Sequence, residues 1–175
     1  EMAQDFTVPA AGGTATLYVR DLPSAPDMAV FEAGDVIRLR QFSRAGGSLT
    51  IANCWGTVSS YVDQADGTQR WTFTRSTAPN AGTLAAGTVL KKDLIVLDYG
   101  VSGNGFYEVN AIDGLRAVNS PYWQIVRWTG HPATGQSVRV RGGQLKGIFN
   151  QDEFGIFAGT GTGNDDRWLR LSDYA

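Results

Sequence analysis

One cysteine and one histidine are all that the 175 residues offer of those two types. Cys54 has no partner within the chain, so internal disulfide stapling is excluded. It reads as a small buried hydrophobe. A Cys or Ser nucleophile would need a nearby base, and His131 is the single histidine that could serve. Zinc, which takes four Cys, His or carboxylate ligands, finds no natural set here.

Long apolar runs are also missing. None reaches the ~18 residues of a membrane-spanning helix, so membrane insertion is not expected. Concentrated positive charge is absent too. Fifteen Lys and Arg stand against 17 Asp and Glu, giving a net charge of −2 and a pI near 5.3. Nucleic acid is therefore not expected as a partner, because phosphate binding needs clustered Lys and Arg. The opening stretch EMAQDFTVPA lacks the basic start and apolar core of a signal peptide. With a free thiol, that fits folding in a reducing cytoplasm.

What is present is alternation. In TATLYVR, Leu17 and Val19 share one side while Thr16, Tyr18 and Arg20 share the other. GDVIRLRQF sets Ile37 and Leu39 against Arg38 and Arg40. QRWTFTR sets Trp71 and Phe73 against Arg70 and Thr72. SVRVR and RWLRLS repeat the pattern, with Trp168 on the side of Arg170. Period two predicts half-buried strands with one face toward water. LTIANCWGTV, LIVLDYG and FGIFAG are more continuously apolar and predict central strands, or strands packed on both faces. Twenty-two glycines, with Pro, Asn and Asp, mark the turns between them. Asp66–Gly67 predicts a tight hairpin. About a dozen short strands predict an all-β antiparallel barrel or sandwich. The expectation is one compact domain over residues 1–175. Residues 76–93, rich in Ala, Gly and Thr, form a long surface loop or a subdomain boundary.

Catalytic patterns are weak. GVSGN at Gly100–Asn104 has Asn104 where a nucleophile elbow needs glycine. GTGTG at Gly159–Gly163 leads into a turn and strand, without the helix N-terminus that binds phosphate. Asn164, Asp165 and Asp166 cluster, as do Asp63 and Asp66, but neither group has calcium-loop spacing. No carboxylate pair stands out for glycoside hydrolysis. No catalytic residue, metal ligand or cofactor is assigned, and an enzyme is not expected.

Aromatic residues are the richer signal. Trp55 and Trp71 lie on apolar strand sides and read as core. Tyr107, Tyr122, Trp123 and Trp128 stand beside turns or on polar sides. His131 precedes Pro132 in a bend, and Arg139 and Arg141 alternate along the next strand. Rings beside turns can stack on sugars, and Trp, Tyr and Arg are enriched at protein interfaces. These seven residues are the candidate ligand contacts.

Several stretches carry a resemblance. FEAGDVIRLRQFSRAGGSLTIANCWGTV, DGTQRWTFTRS, VLDYGVSGNGFYEVNAIDG, PYWQIVRWTGHPATG and VRVRGGQLKGIF with FGIFAGTG together resemble segments of tail-tip, central-fibre or host-interaction proteins of tailed phages and prophages. The similarity runs over roughly residues 4 to 172. It implies a virion tail component assembled in the host cytoplasm, with host-surface attachment through glycan or protein as its role. A structural tail-tip spacer or, less favoured, a cell-wall hydrolase fragment are the alternatives. Other tail proteins are the implied partners. A homotrimer is a further expectation, though no coiled-coil heptads would drive it.

Overall fold

The alternating stretches become strands. The computed structural model describes residues 1–45, 48–78, 82–111, 119–161 and 167–173. The RAGG and IDGL turns, the GTGTG stretch and the Asn164–Asp166 cluster fall wholly or partly outside them. Among the described residues are twelve strands and one short helix, with antiparallel sheets and no closed barrel. The all-β expectation is met. The chain divides into two compact units, Glu1–Val101 and Ser102–Ala175, where the sequence suggested a single one. The division falls in the turn VSGNG.

In the first unit, β1 (Phe6–Thr7) is followed by β2 (Thr14–Arg20), β3 (Val36–Ala45), β4 (Ser48–Gln64), β5 (Thr68–Arg75), β6 (Val89–Leu90) and β7 (Val96–Asp98). Five of these form a sheet in the order β2-β5-β4-β3-β7, and β1 pairs with β6. Leu17 and Val19 on β2 and Trp71 and Phe73 on β5 point into the core, as their alternation requires. The β1–β6 ribbon adds Phe6, whose ring meets Phe73 edge-on at 5.3 Å. The hairpin at Asp66–Gly67 forms, pairing Gln64 with Thr68. Within residues 76–93, Leu84 and Leu90 are core residues. Arg75 fastens this segment by donating to the carbonyls of Pro9 and Leu84.

Two expectations need correction here. Arg38 does not face water. It is buried, with its guanidinium 5.0 Å from the ring centres of both Trp55 and Tyr99. Cation–π contact replaces the lost hydration. LIVLDYG is not a central strand either. It supplies only β7, at the sheet edge, and leaves Ile95 exposed. LTIANCWGTV does become the central strand β4.

The second unit holds β8 (Gly105–Asn110), β9 (Tyr122–Trp128), β10 (Gln136–Gln144), α1 (Lys146–Phe149), β11 (Phe154–Gly159) and β12 (Trp168–Ser172). Its strands form one antiparallel sheet, β12-β11-β10-β9-β8. The segment around α1 crosses one side of the sheet. There Phe149 meets the rings of Phe157 and Trp168 at 5.7 and 5.4 Å.

Gly56, in the middle of β4, explains one sequence feature. A Cβ there would lie 2.3 Å from the Phe73 ring and 2.4 Å from the Thr74 carbonyl. Gly56→Ala should therefore destabilise the first unit by about 1–3 kcal/mol through overpacking, read as a lower denaturation midpoint with an unchanged slope. Cys54 gives a second check. Burial pushes its thiol up to about 11, so iodoacetamide at neutral pH should label it only upon unfolding. Rapid labelling of the folded chain would contradict this packing.

Candidate functional site

Directly paired residues in an antiparallel sheet share a face. Two complete rows therefore cross the second unit's sheet. Tyr107, Ile125, Val140, Ala158 and Leu169 form one. Val109, Trp123, Gly142, Ile156 and Leu171 form the other. Neither row contains an Asp, Glu, His, Lys or Arg. Phe154, opposite Gln144, extends the same side. Eight large apolar side chains of this face are exposed, from 37% at Trp123 to 66% at Val109, while Val140 is half-buried.

Gly142 positions the central ring. A Cβ at residue 142 would meet the Trp123 indole at 2.4 Å. The absence of a side chain lets that ring lie across β10. The Tyr107 ring stands 6.4 Å away, tilted by 34°. With Val109, Pro121 and Phe154 they line a shallow groove of about 420 Å³. Its lining is mostly carbon. Asn110 contributes an amide, but that amide already donates to Ser120 at 2.6 Å.

The opposite side of the sheet is covered and mixed, with Val126, Trp128 and Phe157 buried beside charged and polar groups. Glu108, Gln124, Arg141, Phe157 and Arg170 share a row there. Glu108 is not simply solvated: Tyr122 Oη and Gln124 Nε2 donate to it at 3.2 and 3.3 Å. Arg141 is buried with its guanidinium 3.8 Å from the Tyr122 ring centre. Burial pulls it below the usual guanidinium value. Arg170 donates through Nε, at 3.0 Å, and Nη2 to Oε2 of the buried Glu153.

The seven sequence candidates are thus dispersed. Tyr107 and Trp123 are exposed and adjacent. Tyr122 borders the same groove, but its residue is buried and it packs on Arg141. Trp128 is fully buried and offers nothing to solvent. Arg139 lies where the β9–β10 register shifts and donates to the Thr160 carbonyl. His131 holds a turn: its Nδ1 accepts from Ala133 N–H at 3.1 Å. Its carbonyl accepts from Thr134 and Gly135. Sequence reasoning missed Ile125, Ile156, Leu169 and Leu171 as surface residues. Each reads as core in isolation, and only strand order unites them.

The acids among the described residues assemble no comparable centre. Asp35 and Asp98 are neighbours in the first unit, but each closes a turn by accepting from a backbone N–H, of Glu32 and Gly100 respectively. Burial, and then Asp35 beside it, raises the Asp98 carboxyl. Among the described residues no three His, Cys, Asp or Glu side chains gather as a metal site. No helix among them is long and apolar enough to cross a membrane. No protein-family model matches the chain, and no curated protein or solved structure does so either.

His131 makes the turn testable, because it gives a single imidazole signal. Burial lowers its pKa from 6.5, and protonation would remove the lone pair that accepts from Ala133. A depressed folded-state pKa adds stability above the unfolded value and loses it as pH falls through the folded one. Proton NMR should place the midpoint below 6.5, with the Ala133 amide loosening at the same pH. A midpoint above that value would refute the turn role.

Proposed function

We propose that the chain is a non-enzymatic module of a phage tail protein, working by protein contact through the open face of its second unit. The observation that carries this reading is the pair of uncharged rows that cross all five strands, with large apolar side chains exposed on β8, β9, β11 and β12. Contiguous apolar patches beyond a few hundred Å² mark interaction surfaces on soluble proteins. The tail context rests on the sequence resemblance. On this reading the chain resides in the virion tail and its partners are tail proteins.

Host-surface attachment is the second reading, and the groove favours it. Tyr107 and Trp123 form a shelf on which the apolar side of a sugar could stack. The lining weighs against it, because sugar hydroxyls need hydrogen-bond partners and the described lining supplies few. A protein partner with apolar side chains suits the face better.

The test is incorporation into tails. The full tail protein carrying Ile125→Glu should fold but assemble poorly. A charge buried at such a contact costs about 2 kcal/mol or more, roughly a thirtyfold loss in affinity. Wild-type assembly by that variant would sink the contact reading. Saturable glycan-array binding, lost in Tyr107→Ala with Trp123→Ala, would instead favour attachment. Trp128 should be left intact in any such test, since removing a buried indole measures stability.

A further inference from the structure

We infer that the occupant of the open face is a second copy of this chain, stacked sheet on sheet about a two-fold axis. The inference rests on the reading that this face is a protein contact, and it names the partner.

Three observations support a second copy. The first is charge. In a two-fold contact a surface meets itself, so a face of one sign would repel its own copy. The two rows avoid this by carrying no Asp, Glu, His, Lys or Arg at any of their positions.

The second is the pattern along the outer strand. At alternate positions β12 and its flanks read Arg167, Leu169, Leu171, Asp173, all exposed. A two-fold axis lying across the strands runs the second β12 antiparallel to the first. Arg167 of each copy then lies toward Asp173 of the other, with the leucines between them. The cation and the anion at the two ends make the strand complementary to itself in that direction. An axis along the strands would instead lay β12 over β8, whose outward residues Gly105, Tyr107 and Val109 offer no charge to Arg167 or Asp173.

The third is extent. Eight large, half-exposed side chains would bury on the order of 800 Å² per copy, the half-share of a standard interface. Two twisted sheets stacked about 10 Å apart with interleaved side chains form an ordinary β-sandwich. Val140 and Ala158, less exposed than Tyr107 and Leu169 in the same row, give such interleaving room, while the Trp123 ring fills the space over Gly142.

The test is sedimentation equilibrium of the full chain over a wide concentration range. The wild type should approach twice the 18.8 kDa chain mass. Leu171→Glu and Ile156→Glu, both at exposed positions, should return the mass to one chain while far-UV circular dichroism stays unchanged. Arg167→Asp should weaken the dimer by tenfold or more, and Arg167→Asp combined with Asp173→Arg should restore it. A wild type that stays monomeric throughout, a dimer indifferent to Leu171→Glu, or a trimer would each overturn the inference. A monomeric wild type whose Ile125→Glu variant still fails to enter tails would leave the contact reading standing with a different protein on the face.

Discussion

The second unit depends on where its buried charges can be satisfied. Arg141, Glu153 and Arg170 all lie on the side of the sheet that the α1 segment covers. An unpaired charge in such a place would be prohibitively costly. That segment answers Arg170, with Glu153 itself and with Gln151 as a second acceptor at 2.8 Å, while Arg141 donates to the Asn119 carbonyl at 3.3 Å and lies on the Tyr122 ring. Arg141 reaches beneath α1, where a Cβ on Gly147 would sit 2.9 Å from its Nη1. Removing Glu153 or Gly147 would therefore disturb more than a local contact. Once these groups fix which side is covered, the period of two sends Trp123, Ile125, Ile156, Leu169 and Leu171 outward. The side that is covered carries both these charged groups and the buried Val126, Trp128 and Phe157, and the other side is left outward.

The first unit solves the same problem in the usual way. Its sheet buries an apolar side made of Leu17, Ile37, Val58, Trp71 and Phe73, and the β1–β6 ribbon closes over it. Its buried guanidinium, Arg38, is held between rings and adds no apolar surface to the outside. Domains are layered because each sheet has an apolar side that needs another element against it. In the second unit the layer over the mixed side, with Val126, Trp128, Phe157 and Arg141, is present, and none among the unit's own described residues covers the apolar side.

Much of the fold was legible. Strand period, the Asp66–Gly67 hairpin and the core faces of β2 and β5 follow from residue order. Period two states that residues alternate but not which set is covered. YWQIVRW carries rings at both parities: Tyr122 and Trp128 on one, Trp123 on the other. Nearness to a turn made all three look like contact residues, and parity divides them. Arg38 escaped for a related reason. Its alternation is polar, yet Trp55 and Tyr99, distant in sequence, roof it over. The open face was the least visible feature, since its members are spread from Tyr107 to Leu171 and join only through the strand order.

An exposed sheet of this kind has two ways to associate, and the residues distinguish between them. Strands β8 and β12 are edges among the described residues, and an edge offers backbone groups that any strand can join. Edge pairing is indifferent to which side chains point where. It would leave both apolar rows exposed, and a growing chain of sheets would have no reason to stop. Stacking through the face buries the rows, uses their lack of charge and closes after two copies. The place of Gly142 fits the second mode. A larger residue there would lift the Trp123 ring off β10 and roughen the centre of the face, whereas an edge contact would not feel it. A glycine in mid-strand weakens the strand, and here it keeps the face flat enough for another sheet to lie against it.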